Sequence, residues 1–343
     1  MEQDLWRYLQ TVKKPVVLYG MGNGADKIIN VLNTYGIKIS GVFATDGFVR
    51  DKCFHGFKLS SYSELKERFG EMTVLLSFGS SRPEVLENIK KISAEQELYA
   101  PDVPVYGGTL FNSEYLSANK EAFCRVYSRL ADEKSRETFE NVIRYKLSGR
   151  LDYLFGCEVS EDEPYSSFLK LGNSEGYIDL GAYTGDTVAD FLSRTKGYNS
   201  ITAVEPDKKS FKKLIKNTEG LNNFKAINAC VSDLGGTALF SMRGGRNSSL
   251  GEGEEIAAVT VDEIAEKGAT FIKADVEGEE KRVISGAKNT ILRYKPKIQL
   301  ACYHRTEDLI TLPDAVDKIR SDYKLYMRRF PSVPAWDMNY YFV

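Results

Sequence analysis

The residues best suited to chemistry lie between positions 179 and 304. Asp179-Leu180-Gly181-Ala182-Tyr183-Thr184-Gly185-Asp186 joins an apolar run to an amphipathic one. Glycines at 181 and 185 let a ligand lie close against the backbone there. Such a turn suits a nucleoside cofactor, although tight strand-to-helix connections also use glycine for steric reasons alone. Glu205-Pro206 follows at the carboxyl end of the next apolar run. A carboxylate at that point, about 20 residues after a glycine turn, can accept hydrogen bonds from ribose hydroxyls. Ser232-Asp233 stands at the following strand end, where a side-chain acceptor could meet an adenine amino group; Asp233 could equally cap a helix or turn.

Lys273-Ala274-Asp275-Val276-Glu277-Gly278-Glu279 places carboxylates at one more strand end, over the crevice where open α/β sheets bind ligands. Side chains alternate along an extended segment, so Asp275 and Glu277 share a side. One can face the cofactor and the other a substrate. Asp275, Glu277 and Glu279 could in principle hold a magnesium ion, but carboxylates this close in sequence are usually not a metal site, and no metal is expected.

The elements that must position these residues alternate regularly. From Gly176 the chain reads strand YIDLG, helix DTVADFLSRTKG, strand SITAVEP, helix DKKSFKKLIKN and strand KAINACVSD. TFIKADVEG, a helix near EEKRVISGAK, KPKIQLACYH and a helix near DAVDKIRSD follow. YKLYMRRF and MNYYFV end the pattern with no helix between them, so an antiparallel hairpin is expected at the sheet edge. Gly244 to Gly251 forms a polar, glycine-rich loop in which Arg246 and Asn247 could touch a sugar or phosphate. The predicted architecture is α/β: a Rossmann-like, mostly parallel sheet with an antiparallel last strand.

With 343 residues, 42% of them hydrophobic, the chain can build more than one core. The N-terminal part reads as a smaller Rossmann-like α/β domain over 1–111, with βαβ character from Pro15 onward. Residues 112–165, charged and apolar at helical spacing, are expected to be a helical connector, and 166–343 the second α/β domain. Lys+Arg 46 against Asp+Glu 48 gives a net charge of -2, without the one-sided basic surface that nucleic acid requires. No apolar run approaches the roughly 20 residues needed to span a bilayer, and the N-terminus carries acidic residues, so a cytoplasmic protein without a membrane span is expected. Five scattered cysteines, with no CxxC pair, are expected to be buried free thiols.

Taken in order, YIDLGAYTGDT, AVEPD, NACVSD, IKADVEGEEKRVISGA and ACYHRTEDL resemble the FkbM family of S-adenosylmethionine-dependent methyltransferases, over about Gly172 to Val343. The resemblance implies methyl transfer, usually to a hydroxyl oxygen of a sugar, glycan or natural product, with a small-molecule or glycan acceptor as partner. Position by position, Asp179, Gly181, Ala182, Tyr183 and Gly185 match the cofactor loop. Glu205 with Pro206 matches the ribose site, Ser232 and Asp233 the adenine side, and Asp275 and Glu277 the acidic motif. Ala274 stands where the family often has Ile, a difference of packing. His304, one of two histidines, lies just past the strand KIQLACY and has an ordinary pKa suited to a general base. Asp275 or Glu277 is the second choice for that role.

The first half holds a rival signal. Gly20-Met21-Gly22-Asn23-Gly24-Ala25 fits the dinucleotide turn with Ala last, and Asp46 lies near the next strand end. An NAD-linked oxidoreductase or a nucleotide-binding regulatory module is the alternative reading, as is a degenerate Rossmann unit used for docking. His55 is read as an ordinary loop residue. The helical connector is long enough to build a homodimer contact.

Overall fold

The computed structural model describes residues 2–46, 52–241, 249–250, 254–266 and 268–343. Arg246 and Asn247 lie outside the described residues. Contacts divide the chain into two compact units, each discontinuous in sequence. The first comprises Met1–Glu121, Arg136–Val159 and Arg329–Asp337; the second comprises Ala122–Ser135, Ser160–Arg328 and Met338–Val343. The segment 112–165 is indeed helical, with helices Ser113–Ala118, Lys120–Arg129, Glu133–Ser148 and Leu151–Phe155. It is not a separate connector, because its apolar stripes are divided between the cores of the two units.

In the first unit, six strands are β1 (Val16–Tyr19), β2 (Gly41–Ala44), β3 (Cys53–Phe54), β4 (Phe57–Ser61), β5 (Thr73–Leu76) and β6 (Glu97–Tyr99). They lie in the order β3-β4-β2-β1-β5-β6, parallel except for the antiparallel β3–β4 pair. Every residue of β1 and β5 is buried, as expected of strands covered on both faces. Val333 and Ala335, far along the chain, belong to the same apolar cluster as Val17, Val74, Tyr145 and Leu154.

The second unit is built on β7 (Glu175–Leu180), β8 (Tyr198–Val204), β9 (Phe224–Ile227), β10 (Cys230–Val231), β11 (Gly236–Ser241), β12 (Ser249–Leu250), β13 (Glu254–Val259), β14 (Phe271–Ala274), β15 (Lys297–Ala301), β16 (Leu325–Arg329) and β17 (Met338–Phe342). Its main sheet has the order β16-β17-β15-β14-β7-β8-β9. β7 pairs in parallel with β8 and β14, β8 with β9, and β14 with β15, whereas β17 runs antiparallel to β15. Lys324 and Val343 exchange both backbone hydrogen bonds, at 2.9 and 3.0 Å, the mark of an antiparallel hairpin. The expected parallel sheet with a reversed final strand is therefore present, with β17 inserted inside the edge strand β16.

One expected strand is broken. KAINACVSD forms β9 and then β10, and β10 belongs to a separate four-stranded sheet, β10-β13-β11-β12. Asn228 lies between the two and donates through Nδ2 to the carbonyls of Glu205 and Pro206, at 2.9 and 3.0 Å, turning the chain out of the main sheet. All five cysteines are free thiols, but only Cys157, Cys230 and Cys302 are buried; Cys53 and Cys124 are exposed.

Candidate active site

Chain order reverses direction across the main sheet between β7 and its neighbours β8 and β14, the position where open α/β sheets bind ligands beyond the strand ends. At the end of β7, Gly181 (φ +78°) and Gly185 (φ +87°) adopt left-handed conformations, and Tyr183 shares that region at φ +45°. A Cβ on Gly181 would stand 2.0 Å from the Asp275 carbonyl oxygen, so only glycine lets the turn pass beside the end of β14. The amides of Gly181 and Ala182 both donate to the Val204 carbonyl at 3.0 Å, fastening the turn to the end of β8. Ala182 is buried, whereas the Tyr183 side chain is exposed.

Asp179 is fully buried. It accepts a hydrogen bond from the Thr187 hydroxyl, and its Oδ1 lies 3.5 Å from Lys273 Nζ on β14. Burial raises its pKa, and the Lys273 charge and Thr187 bond work against that rise. Asp179 thus supports the turn from beneath.

Glu205 is 6% exposed. Its Oε2 accepts from the Tyr183 amide at 2.8 Å and its Oε1 from the Asp207 amide at 2.8 Å, so this carboxylate closes the glycine turn onto the start of helix Lys208–Asn217. Burial pushes its pKa up to about 7, against the opposing pull of those two backbone donors. Pro206 follows within the same bend. Ser232 is buried and donates to Asp233 Oδ1 at 3.0 Å, placing both residues after β10.

The acidic motif lies at the end of β14. Glu277 (φ +58°) and Gly278 (φ +94°) both take left-handed conformations. The Tyr303 hydroxyl donates to both oxygens of Asp275, at 3.2 and 3.1 Å. His304 is fully buried: Nδ1 is 2.9 Å from Glu280 Oε1, and Nε2 is 3.4 Å from both Asp275 Oδ1 and Glu277 Oε2. Burial alone would lower the imidazole pKa, but the Glu280 charge, hydrogen bonding with Glu277 and Glu280, and the Asp275 charge together lift it well above its usual value. The ordinary pKa on which a general-base role rested does not survive this environment, and the more open side chains are Asp275 and Glu277, at 37% and 31% exposure.

Glu279 points elsewhere, pairing with Arg305 at 3.2 Å and Arg282 at 3.3 Å. The residues brought together at the strand end are Asp275, Glu277, Glu280 and His304, with Tyr303 above Asp275. Glu280 and Tyr303 escape a sequence reading because EEK resembles an exposed helix face and Tyr303 a strand residue. Glu280 reaches back to accept from the Val276 amide at 3.0 Å, a local signal of the kind seen in N-terminal helix caps. Buried Asp308 accepts from the Arg305 amide at 2.9 Å; burial and the Glu280 charge raise its pKa to about 7.

In the first unit, Asp46 is bound to the start of helix Tyr62–Phe69: Oδ1 accepts from the Tyr62 amide at 2.9 Å and Oδ2 from the Ser63 hydroxyl at 2.6 Å. His55 Nε2 stands 2.7 Å from Asp26 Oδ1. Gly22 precedes helix Asn23–Thr34 with no side-chain cap.

The sheet order and the strand-end position of the site are those of a Rossmann-like methyltransferase fold. Residues 179–324 match the model of the methyltransferase FkbM domain. The structure of methyltransferase FkbM from Methylobacillus flagellatus KT superposes with a TM-score of 0.74 at 21% identity, covering 96% of this chain and 90% of that one; at this identity the likeness concerns the fold. Aeropyrum pernix fibrillarin in complex with natively bound S-adenosyl-L-methionine is far more distant, with a TM-score of 0.32, 17% identity and coverage of 50% and 67%. An rRNA methylase from Streptococcus thermophilus gives 0.31, 10%, 50% and 87%. Neither of these two bears on function. No curated protein sequence matches the chain. No helix among the described residues is long and apolar enough to cross a membrane.

Proposed function

We propose that the chain transfers a methyl group from S-adenosylmethionine to a hydroxyl oxygen of a sugar, glycan or natural product. The observation that carries this reading is the convergence of three strand ends: the turn at Gly181, the carboxylate of Glu205 and the Asp275–Glu277 pair. The residues fit the cofactor, because the turn opens to solvent at Tyr183 and the Glu205 carboxylate borders it. When bound, S-adenosylmethionine supplies a strongly electrophilic methyl group. Gly181, Ala182, Tyr183 and Gly185 form its cradle with Asp179 bracing the turn from beneath, Glu205 and Pro206 the ribose side, and Ser232 and Asp233 the adenine side.

Alignment of an acceptor oxygen with that methyl group supplies most of the acceleration. Asp275 and Glu277 are the side chains able to orient the hydroxyl and draw off its proton. Buried His304 holds the two carboxylates in place. The oxidoreductase alternative is weakened by Asp46, whose oxygens already accept from the Tyr62 amide and the Ser63 hydroxyl at the start of helix Tyr62–Phe69.

Calorimetric titration with S-adenosylhomocysteine tests the reading. Binding that Glu205→Ala weakens at least tenfold is expected, equivalent to about 1.4 kcal/mol or more. Absence of that binding, together with NAD binding that a Gly22 substitution abolishes, would overturn it.

A further inference from the structure

Helix Lys208–Asn217, which follows the Glu205–Pro206 bend, carries charge that its own stability does not explain. It buries Ser210 and Leu214. At about 100° per residue, Lys208, Lys209, Lys212, Lys213 and Lys216 fall with Ile215 on an opposing arc of about 160°, and all six are exposed. The first turn holds two lysines and no acidic residue, although the positive end of a helix dipole favours anions there. Lys208 and Lys212, Lys209 and Lys213, and Lys212 and Lys216 are spaced i,i+4, where like charges destabilise a helix. Lys208 Nζ is relieved by Glu254 Oε2 at 3.0 Å; the other four lysines form no ion pair among the described residues. The whole chain has a net charge of -2, so total charge conceals a local basic face.

We propose that this face docks on the surface of an anionic phospholipid bilayer. Charge complementarity is the first argument: clusters of four to eight basic residues on one helix attract anionic headgroups, and headgroup phosphates relieve the repulsion between stacked lysines. Two features favour lipid over nucleic acid. All five cations are lysines, compact point charges on flexible stems, whereas bidentate recognition of nucleic-acid phosphates selects the planar fork of arginine. Ile215, 48% exposed, stands on the same arc as Lys208 and Lys212. An aliphatic side chain gains from entering the boundary between headgroups and acyl chains, and it has no ring on which a base could stack.

The basic helix adjoins the glycine turn of the candidate active site. Asn217 Nδ2 donates to the Thr184 carbonyl at 2.8 Å, and a Cβ on Gly185 would stand 3.1 Å from Leu214 Cδ1. A bilayer held by the lysines therefore lies beside that turn, and the enzyme reaches the membrane through adsorption, without a spanning helix. The docking surface is defined by the lysines and does not rest on the methyltransferase reading; that reading supplies only its use, which is to meet hydroxyl acceptors anchored in the bilayer.

The test is co-sedimentation of the full chain with vesicles of mixed phosphatidylglycerol and phosphatidylcholine, against vesicles of phosphatidylcholine alone. Binding to the mixed vesicles only is expected, with release at about 1 M salt, where the screening length falls to roughly 3 Å. Lys212→Gln, Lys213→Gln and Lys216→Gln together should weaken binding roughly 100-fold, about fivefold for each lysine, and Ile215→Ser should weaken it several-fold. Lys13→Gln with Lys38→Gln, at exposed lysines of the first unit, should leave it unchanged. No binding to the mixed vesicles, or binding that the triple variant retains in full, would overturn the proposal. An oligonucleotide that binds more tightly than the vesicles, with the same dependence on the three lysines, would reassign the face to nucleic acid. S-adenosylhomocysteine titrated into the same preparation separates the failures: its binding by a chain that ignores vesicles refutes the docking surface alone, and vesicle binding by a chain that ignores it refutes the methyltransferase reading alone.

Discussion

Glu205 ties the candidate cofactor site to pH. Burial holds its pKa at about 7, so below that value it is mostly protonated and loses acceptor capacity toward ribose hydroxyls. Affinity for S-adenosylhomocysteine should therefore fall as pH drops from 8 to 6, and calorimetry with Glu205→Gln should give weaker binding with a flatter profile. Gly181 makes a different prediction. An alanine there meets the Asp275 carbonyl at 2.0 Å in a left-handed conformation, so Gly181→Ala should cost about 2–4 kcal/mol of stability, measurable by denaturant unfolding. At this scale the sequence is a good guide to residues fixed by backbone geometry, such as Gly181, Gly185 and Glu205. It is a poor guide to residues brought together by packing. Glu280 and His304 are 24 positions apart in sequence, and nothing in either local stretch announces their pairing.

Among the elements, strand and helix alternation was legible because apolar runs and glycine turns punctuate it, and the final hairpin was legible from its missing helix. The small sheet beginning at β10 was not. The force that ends β9 is a side-chain interaction of Asn228 with carbonyls more than 20 residues earlier, invisible to periodicity. Asn228→Ala should release this bend and weaken S-adenosylhomocysteine binding, since the bonded carbonyls are those of Glu205 and Pro206; a titration isotherm identical to that of the parent chain would refute this link. The edge strand β16 has its own anchor. Arg328 is buried, and its guanidinium meets Asp132, Glu163 and Ser135, all within the second unit. Removing one partner from such a cluster leaves the others without compensation, so Arg328→Met should cost about 3 kcal/mol or more, read from the shift of the unfolding midpoint.

For the whole molecule, the linear division into 1–111, 112–165 and 166–343 follows changes in composition, whereas the contacts interleave the segments. Helix Lys120–Arg129 supplies Arg129, which pairs with Asp317 at 2.6 Å, and Leu130 bridges to Leu325. A fragment containing only 166–343 lacks these partners and should melt without a cooperative transition, while the full chain melts cooperatively; circular dichroism distinguishes the two. The excursion of Arg329–Asp337 from the hairpin into the first unit has a further consequence during synthesis. Val333 and Ala335 complete a core that begins at Val17, and β17 completes the second sheet directly afterwards. On the ribosome, then, the first unit cannot mature in the order in which it is translated: the core around Val17 waits for residues more than 300 positions further on, and chains stalled before position 329 should leave that core protease-sensitive.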